Sequence, residues 1–491
     1  MEIQLRRNMI DEDEFLQMRP MTLSQWPTGK EVDLKDAIEY QKNLPEHKSS
    51  LSVVKKLNIN GRSGLMPRAG TPILEKQIDI CHTLVDAGVS IIILTFDTFT
   101  REGQYERVQR GIDESNKLDK ATLNGFPMIN LGVHNTRKVV ESCECAFNTR
   151  VGWISGALGA EIALASGMTS LGNTGAFLLF GCYHKNERLE DFIHHHEYIW
   201  RLMGYYADRG IILPTDDHGW QPNFIFPYDV SIACTILNSQ MMAIQGVKSI
   251  IPHIECQGNM YQDIATIRVG RRLVREYLDK FGYKNVSVPG VLTGQLPLYP
   301  VPQSMAESFA YSNYTIMVEA MTGAELTNVR TIDEGLGVPS EEAHGLSNES
   351  AHWIINIVSE QNIKLETKEI AIEEENTEKA IRAIVDRVLD LGDGDAAIGS
   401  VRAVEAGILD SPFSTNTHVK DKVLGIRDNT GACRYMHFGN LPIPKEVKEF
   451  HREKVEERAK LEGRKMNYQV AVDDFWAPSQ GHLLGRPDKP R

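Results

Sequence analysis

Three arginines share one setting. In LMPRAGTP (65–72), SIIILTFDTFTRE (90–102) and CAFNTRVGW (145–153), a short apolar run gives way to Arg68, Arg101 and Arg150. A guanidinium is always charged, and its planar fork fits a carboxylate with two parallel hydrogen bonds. Three together repel one another, so they suit a cavity where a phosphate or an anion with two acidic ends joins them. The competing reading is local pairing with neighbours such as Asp97 or Glu102. Recurrence at three matching strand ends favours a clamp.

Two further stretches follow apolar runs and hold metal-ligand types. TDDHGW (215–220) and PHIEC (252–256) offer Asp216, His218, His253 and Glu255, a set suited to a divalent-metal lyase or hydrolase working by acid–base chemistry. HHHE (194–197) is weaker. On a helix only positions three or four apart meet, so His194 and Glu197 could face each other without a third ligand. That segment reads as a solvated helix face.

The elements that must position these residues alternate from about residue 60 to 360. Candidate strands fall near 62–67, 90–96, 127–132, 145–150, 169–180, 210–214, 248–253, 285–291 and 324–330, with helix-length segments such as 73–88 and 260–282 between them. Repeated strand–helix units imply a parallel sheet buried on both faces, and enough of them close into a (β/α)8 barrel. Nine candidates compete for eight places, so one is misplaced. No phosphate-type glycine signature follows the first strand, which weakens a Rossmann reading. The chain divides into an N-terminal appendage (1–58, one helix expected at 33–43), the barrel (59–363) and a C-terminal region (364–491) packed on it. The charged segment 444–463 reads as a helix with a solvated face. In a parallel barrel the carboxyl ends of the strands share one mouth, so all three arginines would open there.

The totals set outer limits. The 491 residues are 42% apolar and 24% charged, enough for a large core. A formal charge of −13 disfavours nucleic acid and anionic lipid as partners. No run approaches the roughly 18–20 apolar residues of a membrane span, and no secretory signal is visible. Seven cysteines without CxxC pairs read as reduced thiols. A cytoplasmic location is expected.

Long collinear motifs then carry a resemblance. LMPRAG, DTFTRE, LNGFPMINLGV (123–133), QWPTGKEVDL (25–34), NMYQDIA (259–265), LGIRDNTGACRYMHFGN and HLLGRP resemble the epsilon chain of glutamate mutase (methylaspartate mutase), from about residue 10 to 488. The resemblance implies a (β/α)8 barrel and adenosylcobalamin-dependent rearrangement of a carbon skeleton by radical fragmentation and recombination. It implies that Arg68, Arg101 and Arg150 grip the substrate's carboxylates, with Tyr183 beside them. It puts Gly70 and Asn124 against the cofactor, and Arg330, Glu334 and Val338 of TNVRTIDEGLGVP (327–339) beside its adenosine. The family has lysine where this chain has Arg330. Asp-x-His-x-x-Gly, the cobalamin-binding signature, is absent from the chain, so a separate small cobalamin-binding subunit is implied, in a heterotetramer built on a homodimer of this chain.

The chain departs from the family pattern around the substrate's amino group. After the third arginine the family's histidine is replaced by Val151. In MTSLGNTGAFLLFGCY (168–183) the glutamate that binds the substrate ammonium is missing, and Leu178 or Leu179 replaces an earlier tyrosine. An unpaired buried cation costs several kcal/mol. Either the acidic substrate differs, or its amino group is met elsewhere, by Asp216, Asp217 or Glu255.

Overall fold

The computed structural model describes residues 5–152, 154–220, 225–294, 302 and 304–486. Among them, nine parallel strand segments form one sheet. Gly64–Leu65 and Arg68–Ala69 are two pieces of a single strand, because they stand at opposite ends of the sheet order. The residues between them bond to both sides: Met66 N donates to Thr327 O at 2.8 Å, and Pro67 O accepts from Ile93 N at 3.0 Å. That strand closes the sheet into a (β/α)8 TIM-type barrel. Its other strands are Ile91–Thr95, Ala146–Arg150, Ser170–Gly172, Thr215–Asp217, Ile250–Glu255, Leu292–Gly294 and Leu326–Asn328.

Side chains along a strand alternate between faces, and the inward set changes character from bottom to top. At the amino end Met66, Ile91, Ile93, Ala146, Ile251, Leu292 and Leu326 form an apolar plug, sealed by Val54 from the helix Ser50–Asn60. Two residues further along, the same faces present Arg68, Thr95, Asn148, His253, Gly294 and Asn328, and then Arg150 and Glu255. A dry floor therefore lies under a polar mouth. Burial of the larger apolar layer outside the strands holds the helices to the barrel.

The ninth strand candidate is the misplaced one. Residues 127–132 open the helix Met128–Ser142, whose buried Met128, Ile129, Val133, Thr136, Val139 and Val140 recur at helical steps. The expected strands at 210–214 and 285–291 lie a few residues early. Their apolar runs lead up to the pairing segments TDD and LTG, which are less apolar because they end in the mouth. The N-terminal region holds helices Glu12–Leu23, Leu34–Asn43 and Ser50–Asn60 rather than one.

Beyond the barrel, Lys368–Leu391 packs on the barrel helices Met260–Lys280 and Asp229–Ile244. Tyr277 there donates to Asp386 at 2.7 Å. The helix Lys445–Glu462 covers a hairpin of Val423–Arg427 and Cys433–Phe438. It is not a free solvated face. Val447 and His451 are buried, and Arg458 is fully buried against Asp474 at 2.8 Å. HHHE is solvated on one side only: His194 is exposed and meets Glu197 at 3.3 Å, while His196 and Glu197 are buried in the helix Leu189–Ala207. All seven cysteines are free thiols. Among the described residues no helix is long and apolar enough to cross a membrane.

Candidate active site

Register sets the site. Thr95, Arg150, Gly172 and Asp216 are consecutive lateral partners across four strands. Gly172 lies between the arginine and the aspartate, and a methyl group there would stand 2.4 Å from Arg150 Nη1 and 2.6 Å from Asp216 Oδ2. Without a side chain at that position, Arg150 Nη1 reaches across to pair with Asp216 Oδ1 and also meets Asn173 Oδ1 at 3.2 Å. Asn148 donates to the other Asp216 oxygen at 3.4 Å. Arg150 is 1% exposed, and its Nε and Nη2 have no hydrogen-bond partner.

Arg68 and Arg101 line a cavity of about 350 Å³ with Gly70, Asn124, Tyr183, Asn328, Arg330, Glu334 and His344. Neither makes an ion pair among the described residues. Asp97 instead caps the short helix Thr98–Arg101, accepting from Thr100 N at 3.0 Å. Buried Nε of Arg68 has no partner. The three cations feel one another: burial and then the Arg68 charge lower the Arg101 pKa, and burial, Arg68 and Arg101 lower that of Arg150, against which Glu255 acts.

Close backbone packing fixes the loops that carry them. A methyl on Gly70 would fall 2.7 Å from Gly125 Cα, and one on Gly125 (φ +147°) would fall 2.3 Å from Asp97 N. Phe126 N donates to Thr95 O at 2.7 Å, tying the NGF loop to the second strand. Gly152 presses on Arg101, whose Cβ would be 2.9 Å from a methyl there.

Of the other expected residues, Tyr183 is half exposed at the rim, and Arg330 approaches Glu334 at 3.8 Å. Val338 is exposed beside Pro339, which lines the cavity. Val151, Leu178 and Leu179 are buried in apolar packing, with Phe177 and Phe180 of the helix Ala176–Cys182 against Trp220. Asp217 does not face the arginines: its Oδ2 accepts from Asn238 at 3.0 Å, and burial pushes its pKa up to about 6. Asp216 and His253 belong to strands rather than following them. Reading the sequence missed Gly172, Asn173 and His344. SLGN after a short apolar run was the available signal for the first two.

A closed parallel barrel with a cationic mouth above a dry floor defines an enzyme of the TIM-barrel class. The family model described as methylaspartate mutase E chain (MutE) matches residues 44–487. A glutamate mutase epsilon subunit of Desulfitobacterium hafniense is 34% identical over 98% of this chain and 99% of its own length. Those of Treponema denticola and Yersinia enterocolitica are 34% and 35% identical, each over 99% of this chain and 99% and 100% of their own lengths. The chain belongs to the methylaspartate mutase E chain family, whose members are isomerases. Among solved structures, a 3-deoxy-D-arabino-heptulosonate 7-phosphate synthase from Thermotoga maritima aligns over 62% of this chain and 91% of its own at 11% identity and a TM-score of 0.33, too low to bear on the fold.

Proposed function

We propose that this chain is the catalytic subunit of a glutamate mutase-like isomerase, acting with adenosylcobalamin on a small dicarboxylate held by Arg68, Arg101 and Arg150, with Tyr183 at the rim. What supports this reading is that Arg68 and Arg101 line one cavity while Arg150, buried at the end of a neighbouring strand, feels both of their charges, with N–H groups left over. Arg68 Nε and Arg150 Nε and Nη2 are buried without partners, and buried donors are rarely left so unless a ligand completes them.

The residues beside the claw suit a nucleoside. Asn124, Arg330 and Glu334 line the same cavity and combine an amide, a cation and a carboxylate, groups that match hydroxyls and ring nitrogens. Gly70 keeps its floor flat and Val338 edges it. When bound, the cofactor would supply a carbon radical able to take hydrogen from the substrate. The chain's own work is then positional. Anchoring an acid group on each half of the substrate keeps the halves in register while the bond between them is broken, an advantage of up to roughly 7–11 kcal/mol. The apolar floor keeps water out.

The small cobalamin-binding subunit carrying Asp-x-His-x-x-Gly completes the enzyme in this reading, as a heterotetramer around a homodimer of this chain. The epsilon-subunit naming of the relatives supports a partner. The substrate differs from the family's in how its amino group is met, if it has one. Asp216 is engaged by Arg150 and Asp217 by Asn238, while Glu255 ends its strand close enough for its charge to act on Arg150.

Reconstitution with that subunit and adenosylcobalamin, followed by a screen of L-glutamate and of four- to six-carbon diacids with and without amino groups, tests the proposal. Turnover of one diacid, lost without adenosylcobalamin, is expected. A metal-dependent lyase or hydrolase using Asp216, His218, His253 and Glu255 would instead turn over without the cofactor.

A further inference from the structure

Beside Arg150, the fifth and sixth strands and the turn after the fifth bring together a cluster of buried polar groups. Asp216, His218 and His253 are 2%, 1% and 1% exposed, and one ligand atom from each lies within 4.8 Å of the others. The two imidazoles stack with ring centroids 3.4 Å apart and planes inclined by 35°. Neither nitrogen of His253 has a hydrogen-bond partner, and neither does Nδ1 of His218. Glu255 Oε1 stands 3.9 Å from His218 Nδ1, and Asp216 Oδ1 stands 3.7 Å from His253 Nδ1.

Two stacked, buried imidazoles with three ring nitrogens unpartnered are costly in a folded core, because each buried polar atom left unsatisfied costs about 1–3 kcal/mol. The ring nitrogens left without partners keep a lone pair available on each imidazole. We propose that Asp216, His218 and His253 form a binding site for a divalent first-row transition ion, with Glu255 within reach as a fourth ligand. Two imidazoles and a carboxylate are the donor set such ions prefer, and open positions remain for a substrate oxygen or nitrogen. Metal–ligand bonds of about 2.0–2.2 Å need the donors drawn inward by about 1 Å, which side-chain rotation supplies. Asp216 keeps Arg150 on Oδ1 while sharing its remaining lone pairs. The carboxylates of Asp216 and Glu255, with an anion gripped by the arginines, balance the added charge.

The ion would give a substrate gripped by the arginines a third anchor. The inference does not require the mutase reading, since metal binding is measured on this chain without cobalamin.

The test uses the full-length chain without an affinity tag, freed of metal and dialysed against Zn²⁺ and, separately, Co²⁺. We expect one ion retained per chain, visible d–d absorption with Co²⁺, and at least a tenfold weaker affinity in His218→Gln/His253→Gln with its circular dichroism unchanged. Anomalous scattering from Zn²⁺-soaked wild-type crystals, which needs no variant, should place the ion between Asp216 and His253. Retention of no ion, undiminished binding in the double variant, or a sole anomalous peak elsewhere would overturn the proposal.

Discussion

Arg101 and Arg150 do different work: Arg150 ends a strand, whereas Arg101 ends the short helix Thr98–Arg101 that follows one, so only one of the two sits at the strand end expected of both. Arg101 has no ion-pair partner among the described residues, and lysine in its place keeps the charge that faces buried Asp97 while losing the fork. Arg101→Lys should leave the thermal midpoint within a degree or two of wild type while lowering kcat/KM for the diacid about 100-fold, because a point charge cannot bind bidentately. Arg150→Met should behave otherwise. It strands Asp216 in a dry site, and breaking such a pair costs about 3–5 kcal/mol. Thermal melts of Arg150→Met and of Arg150→Met/Asp216→Asn check this: the double variant should recover stability, and equal melts would refute the pairing account. The arginine pattern was legible in the sequence because a charge ending an apolar run breaks the logic of a core. Asp216 as Arg150's partner was not, since 66 positions separate them and only register joins them.

At the scale of elements, the strands of the mouth are short, and small residues between their side chains decide what can meet. Gly172→Ala would drive a methyl between Arg150 and Asp216. Overpacking of this kind costs about 1–3 kcal/mol. The variant should lose stability and turnover together, with substrate affinity reporting the displaced arginine; wild-type kinetics would show that the mouth rearranges freely. The alternation of elements was readable from periodicity, but type was ambiguous where apolar runs are short. PMINLG could be a strand by composition, but it forms a helical turn that kinks at Gly132 (φ +75°), after which the helical period runs on to Val140. TDD and LTG were misplaced for the opposite reason. Strand ends that carry a site are polar, so the hydrophobic signal fades where the function lies.

Across the whole molecule, the C-terminal region is bound to the barrel through polar as well as apolar contacts. Asp229 at the start of a barrel helix accepts from Tyr435 of the hairpin at 3.2 Å. Burial raises its pKa to about 7, helped by Glu373 and opposed by Tyr435 and Arg434. Between about pH 4 and 7 the folded state binds more protons at this site than the unfolded one, so its contribution to stability falls as pH rises through that window. A tenfold difference in proton affinity between the two states corresponds to about 1.4 kcal/mol. The melting temperature of Asp229→Asn relative to wild type should therefore climb from pH 5 to 8; a constant difference would exclude the effect. Nothing in the local sequence PYDV signals this, since the burial comes from a segment about 200 positions away.

The claim on which the rest depends is that one mouth binds both ends of a diacid. Isothermal titration of the assembled complex with the diacid that the screen identifies, and with its monoamide, measures it directly. The diacid should bind about 100-fold more tightly, since a second charge-assisted bidentate contact is worth roughly 1.5–3 kcal/mol, and Arg101→Gln should erase the preference. Equal affinity for the diacid and the monoamide in the wild type would contradict the account.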